Sequence, residues 1–289
     1  MSKLNLWDSP NKLVEGVYHK DNYKTVECLN TNLCYVFFSS NGIFFPNTVE
    51  EFENKIILKN RFEWENLAAG EVLYKNSGKQ IFVRDIYKQW YIKGINSSIN
   101  TIDALIELLR ELTDGYDIIT VGISSGGYMA ALVGAKLNAK MCFDFSGQVN
   151  LYNFAENNPF LKIRKGDREV NKTQYYNIAD IVNDSICQFY YFYAAECDYD
   201  KKEWELLANF ENVHGFGFKS KSHAATMFVW NMPYILTKSI REMDDLCNSN
   251  KGKTITPLGF SIQTMPMKEA CYYPIHKICK LVINKLRKK

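Results

Sequence analysis

The stretch Asp117–Gly134, DIITVGISSGGYMAALVG, decides the fold. It opens on a short apolar run, Ile118–Val121, whose length and β-branched content suit a buried strand. It turns through Gly122-Ile123-Ser124-Ser125-Gly126-Gly127 and continues as a small-residue helix, Tyr128–Leu137. Strand, tight turn and helix leave Ser124 at the apex. Gly122 and Gly126 lie two residues either side, where side chains would collide as strand and helix cross. The pattern is G-x-S-x-G. Three fixed letters would arise by chance in roughly one chain in ten of this length, so the weight rests on the strand before and the helix after. A phosphate loop of the G-x-x-x-x-G-K type is excluded because no lysine follows the glycines, and the G-x-G-x-x-G dinucleotide spacing is also missing.

Working outward, continuous apolar runs at Leu33–Phe38 (LCYVFF), Gln80–Asp85 (QIFVRD), Lys140–Phe145 (KMCFDF), Ile186–Ala195 (ICQFYYFYAA) and Val213–Phe218 read as strands. Helical patterns lie between and after them, at Asn100–Thr113, around Lys201–Phe210, and from Ala224 to about Ile240. That alternation predicts an α/β fold, a mostly parallel central sheet with helices on both faces. Leu13–Tyr18 and Tyr23–Leu29 flank the polar His19-Lys20-Asp21-Asn22, which predicts an N-terminal antiparallel hairpin at the sheet edge. Periodicity fails from Val149 to Asp184, read as a cap or insertion over the site with a short helix near Ile178–Val182. The expected organisation is one domain over 1–245 and a C-terminal extension over 246–289. In that extension Ile275, Ile278, Cys279, Val282 and Leu286 share one face of a basic amphipathic helix. Such a helix packs on the domain or makes weak contact with an anionic membrane surface.

Composition narrows the function classes. The 289 residues are 46% hydrophobic and 23% charged, as in a globular protein, and a net charge of +3 is too small to argue for nucleic acid. Met1–Pro10 has no apolar core of signal-peptide length, and no run approaches a membrane span. Eight cysteines are scattered without a C-x-x-C pair, which reads as reduced thiols in a cytoplasmic protein without a zinc site.

In open α/β sheets reactive groups gather at the C-terminal strand ends. Four such ends carry candidates: Ser39–Gly42, Ser124, Asp198 and His223. A serine hydroxyl needs a base to take its proton, histidine serves near neutral pH, and a carboxylate behind the histidine fixes its tautomer. The chain order Ser124, Asp198, His223 is the one used by serine hydrolases of this architecture. Glu196 and Asp200 compete with Asp198, and Asp144 is the next choice by position. Trp90 and Tyr91, just past a strand end, are candidates to line the substrate pocket, and Asp85 is a candidate to hold a loop by hydrogen bonding.

From about Leu33 to Leu236 the chain resembles the α/β-hydrolase superfamily of serine hydrolases, with the elbow as the specific motif. The string GISSGGYMAALVGAKL…CFDFSGQ is also similar to small hydrolase-like proteins of bacterial polysaccharide clusters. The resemblance implies Ser124 as nucleophile, His223 as base and Asp198 as orienting acid, with no cofactor and no metal. It implies an oxyanion hole from the N–H of Ser125 and one from Ser39, Ser40 or Asn41. The His-Gly loop of many esterases is replaced here by Ser39-Ser40-Asn41-Gly42. The implied activity is hydrolysis of an ester, small or on an acylated glycan, through an acyl-enzyme. Transfer of the acyl group to a sugar hydroxyl is the alternative, and a non-catalytic assembly subunit would show a broken serine, histidine or acid position.

Overall fold

A computed structural model describes residues 3–6, 11–29, 31–152, 174–270 and 272. Among the described residues seven strands form one sheet: β1 (Tyr23–Glu27), β2 (Leu33–Phe38), β3 (Lys79–Val83), β4 (Asp117–Ile123), β5 (Met141–Phe145), β6 (Gln188–Ala194) and β7 (Val213–Phe218). Their spatial order is β1-β3-β2-β4-β5-β6-β7. Only β1 runs antiparallel, pairing Tyr23 with Val83 and Glu27 with Lys79. The six parallel strands bring the ends of β2, β4, β5, β6 and β7 to the same edge, with Phe38 beside Gly122 and Ile123 beside Phe145.

Side chains along a strand alternate between faces, and the apolar runs exploit both. Val36, Phe38, Ile118, Phe189 and Tyr191 join one core layer, which is closed by helix α2 (Ile102–Leu112) and helix α3 (Ser125–Lys136). Tyr35, Phe37, Ile119, Val121, Phe143, Tyr190, Phe192, Phe216 and Phe218 join the other. Continuous hydrophobicity in β2 and β6 is therefore the mark of strands buried on both sides. The aromatic strand β6 serves the core; Phe192 alone stacks on Phe145 and Phe216 at centroid separations of 4.8 and 4.9 Å.

The expected hairpin is corrected in its first half. Lys12–Tyr18 is a helix, α1, which leaves β1 to pair with β3. The Asn11 side chain caps it by accepting the Leu13 N–H at 2.9 Å, and the buried residues Val14 and Val17 are three apart, a helical spacing. The helix expected from Ala224 to Ile240 is also broken. A 3₁₀ turn (Val229–Asn231) leads into a short helix (Met232–Leu236) that has Pro233 in its first turn. Ser239 and Glu242 then form a capping box that starts a new helix, α5 (Ile240–Asn250), after α4 (Asp198–Leu207).

The boundary expected at 245/246 falls inside α5, and the following helix α6 (Pro257–Thr264) places Phe260 against Phe192, Phe216 and Phe218 of the sheet. The chain as far as α6 thus shares the sheet's core. The two ends of the expected insertion meet, with Leu151 N–H donating to Tyr176 O and Ile178 N–H to Val149 O, and the short helix falls at Ala179–Asn183. Residues 153–173 and the basic amphipathic segment lie outside the described residues. No described helix is long and apolar enough to cross a membrane.

Candidate active site

The turn after β4 is the sharp one the glycines imply. Ser124 has φ 53° and ψ −122°, a sparsely populated conformation for a residue with a side chain, and its N–H is tied to Phe145 O at 2.9 Å. A Cβ on Gly122 would lie 2.0 Å from Gly126 O, and one on Gly126 would lie 2.4 Å from Phe38 O. Both clashes are with backbone, so neither can be relieved by a side chain turning away. Strand, helix and the end of β2 approach one another because these positions carry no side chain. Ser124 itself is partly exposed.

His223, in the loop after β7, meets it. His223 Nε2 stands 2.9 Å from Ser124 Oγ. The other ring nitrogen, Nδ1, stands 2.5 Å from Asp200 Oδ1. A carboxylate only accepts, so the proton sits on Nδ1 and the Nε2 lone pair faces the serine hydroxyl. Tyr199 packs edge-on to the imidazole at 5.2 Å between centroids.

The carboxylate behind the histidine is Asp200, not Asp198. Asp198 is the first residue of α4 and is exposed; Asp200, two residues on, is buried. Residues two apart on a helix do not share a face, so the turn that aims Asp200 at His223 aims Asp198 at solvent. Glu196 is exposed as well. Three donors hold the second oxygen of Asp200: the Ser146 hydroxyl at 2.7 Å and the N–H groups of Ala194 and Ala224, each at 3.1 Å. Burial alone would raise the Asp200 carboxyl; the hydrogen bond and charge of His223, then the Ser146 hydroxyl and Ala224 N–H, outweigh it and hold it below its ordinary value.

Two further buried carboxyls steady the loop after β5. Asp144 accepts the Gly147 N–H at 2.6 Å, and Glu203, on the Asp200 face of α4, accepts the Val149 N–H at 2.7 Å. Burial pushes them up to about 8 and about 7. Asp144 is thus a support within β5 rather than the partner of His223.

The loop after β2 separates the oxyanion candidates. Ser39 N–H donates to Val83 O at 2.9 Å, and Ser40 N–H donates to Glu63 Oε2 at 2.5 Å, so both are engaged away from the elbow. Asn41 N–H faces the elbow and donates to Ser125 Oγ at 2.9 Å. Ser125 opens α3, whose first N–H groups have no partner within the helix.

Trp90 and Tyr91 are corrected as pocket-lining residues. Tyr91 is fully buried and its hydroxyl donates to Ser39 O at 2.7 Å, so it props the strand end from below. Trp90 is 2% exposed, and its indole N–H donates to Gln148 Oε1 at 2.6 Å, tying the loop after β3 to the loop after β5. Asp85 organises that first loop by accepting the N–H groups of Lys88, Gln89 and Tyr91. Sequence reading missed Glu63, Gln148, Ser146 and Glu203, which no motif marks.

The fold is a seven-stranded, mostly parallel α/β sheet with one antiparallel edge strand. Solved structures of similar shape include a fluorophosphonate-binding serine hydrolase, FphF, of Staphylococcus aureus, at 11% identity and TM-score 0.49 over 75% of this chain and 86% of that one. Est1E from Butyrivibrio proteoclasticus aligns at 13% identity and TM-score 0.49 over 78% and 94%. A capsule O-acetyltransferase of Neisseria meningitidis serogroup A aligns at 12% identity and TM-score 0.45 over 69% and 84%. These are likenesses of overall shape, and the functional reading rests on the side chains of this chain. No protein-family model matches the sequence. No curated protein matches it either.

Proposed function

We propose that the chain is a serine-dependent ester hydrolase working through an acyl-enzyme on Ser124. One observation carries this reading: a strained, partly exposed serine stands 2.9 Å from an imidazole nitrogen whose partner nitrogen is held at 2.5 Å by a buried carboxylate. An ordinary surface turn has no reason to assemble that constellation from the ends of β4, β6 and β7.

In the first half-reaction Ser124 Oγ bonds to the ester carbonyl carbon while its proton passes to His223 Nε2. The carbonyl π pair moves onto the oxygen, which takes up hydrogen bonds at the start of α3. Asp200 steadies the imidazolium. As the carbon–oxygen bond to the alcohol breaks, His223 returns the proton to the leaving oxygen. Water repeats the sequence on the acyl-serine and releases the carboxylic acid. A sugar hydroxyl in place of that water would make the same residues an O-acyltransferase. A single oxyanion donor is typically worth about 10²–10³ in kcat, and removing the triad acid costs about 10⁴.

The test is labelling with a fluorophosphonate probe followed by mass spectrometry. The wild-type chain is expected to gain one adduct on Ser124, and Ser124→Ala none. Equal labelling of the two proteins refutes the assignment. Incubating an acyl donor with a glycan acceptor then separates hydrolysis from transfer, by whether free acid or acylated glycan accumulates.

A further inference from the structure

The Ser125 hydroxyl is engaged on one side only. It is 1% exposed, it accepts the Asn41 N–H at 2.9 Å, and its own proton has no acceptor among the described residues. A hydroxyl carries one donor and two acceptor sites, and a buried donor without a partner is rare. Meanwhile Asn41 N–H is the strand-end donor that faces the elbow, since those of Ser39 and Ser40 are bound to Val83 and Glu63. The second N–H expected for the oxyanion is therefore not free to serve as one.

We propose that the Ser125 hydroxyl is itself the second oxyanion donor. Asn41 N–H is a positioning group: it holds Oγ by one lone pair, so that the O–H is left to point at the oxygen that turns negative on the carbonyl bonded to Ser124. Accepting one hydrogen bond also strengthens the hydroxyl as a donor of the next. The developing oxyanion then receives the N–H and the O–H of the same residue, Ser125. No proton changes hands in this contact; it stabilises charge. This inference rests on Ser124 being the nucleophile.

Three variants test it, read by kcat and KM on a short-chain aryl ester and by the rate of fluorophosphonate labelling. Ser125→Ala is expected to lose about 10²-fold in kcat, with KM changed by less than about threefold, since the contact matters only once the oxygen is charged. Ser125→Thr keeps the hydroxyl and is expected within about tenfold of wild type. Ser125→Cys keeps the volume but offers a weak donor, and is expected to fall with the alanine variant. It serves in place of Ser125→Ala should the latter fail to fold. A Ser125→Ala or Ser125→Cys enzyme as fast as wild type, or faster, overturns the proposal and returns the role to Asn41 N–H, while wild-type labelling on Ser124 leaves the nucleophile standing. Absence of wild-type labelling on Ser124 overturns both.

Discussion

Replacing Asp200 by asparagine removes one charge from the site while keeping its shape, and the hydrogen bonds around it dictate the outcome. Oδ2 of Asp200 faces the Ser146 hydroxyl and the N–H groups of Ala194 and Ala224, whereas Oδ1 faces His223 Nδ1. An amide has one accepting and one donating end. With its oxygen toward the two N–H groups, its NH₂ points at His223 Nδ1, which must then be bare. The ring proton moves to Nε2, the nitrogen 2.9 Å from Ser124 Oγ, and the base is lost. Turning the amide over restores the tautomer but sets its NH₂ against two buried N–H groups, at about 1–3 kcal/mol each. Catalysis by that minority orientation limits the damage to roughly 2–6 kcal/mol, or about 30-fold to 3 × 10⁴-fold in kcat at 1.36 kcal/mol per tenfold. The loss typical of a triad acid made amide, about 10⁴-fold, falls within that range. Asp198→Asn, on the exposed side of α4, is expected to stay within about twofold, as surface changes do. The assay is kcat on a short-chain aryl ester, with thermal melts to show that both variants fold. An Asp200→Asn enzyme within threefold of wild type, or an Asp198→Asn enzyme that carries the loss, refutes the reasoning.

Other outcomes follow from the same contacts. Gly122→Ala sets a Cβ 2.0 Å from Gly126 O, where only backbone can yield, and is expected to cost about 3 kcal/mol or more. Gly16→Ala, in the Lys12–Tyr18 helix with nothing within 4 Å of its Cβ, is expected to gain about 0.5–1 kcal/mol; urea melts read both, and equal midpoints would contradict them. The buried Asp144 carboxyl sits at about 8 in the fold against an ordinary value of 3.8. Between those values the unfolded chain has released a proton that the fold retains, so the contribution of Asp144 is fully present below the lower value and is lost as pH rises through the upper. Wild-type melting temperature is therefore expected to fall more steeply from pH 5 to pH 8 than that of Asp144→Asn, and parallel curves would rule this out.

The fold was legible where burial on both faces wrote itself into the letters. Leu33–Phe38 and the aromatic Gln188–Ala194 are apolar at every step, and only a strand covered on both sides has a use for that. The elbow was legible for a steric reason: Gly122 and Gly126 stand where backbone meets backbone. The N-terminal helix does carry a local signal, in the Asn11 cap and in Val14 and Val17 three apart, but the polar His19–Asn22 turn that follows it is equally the mark of a hairpin.

The choice among Glu196, Asp198 and Asp200 illustrates what spacing alone leaves open. All three follow β6, and all are within reach of a loop that carries His223. What separates them is where α4 begins. With Cys197 as its first boundary residue, the helix turns Asp200 and Glu203 inward together with Leu207 and leaves Asp198 outside. Had the inward residues been sought at helical intervals, Asp200, Glu203 and Leu207 would have appeared as one stripe carrying two carboxyls, an unlikely composition for a merely packed face. The oxyanion loop is harder. Whether Ser39, Ser40 or Asn41 offers its N–H depends on Glu63, distant in sequence, reaching back to bind Ser40. Such a contact is fixed by tertiary packing and leaves no periodic trace, so a site can have its nucleophile written in a motif while the groups that stabilise its charge are written nowhere local.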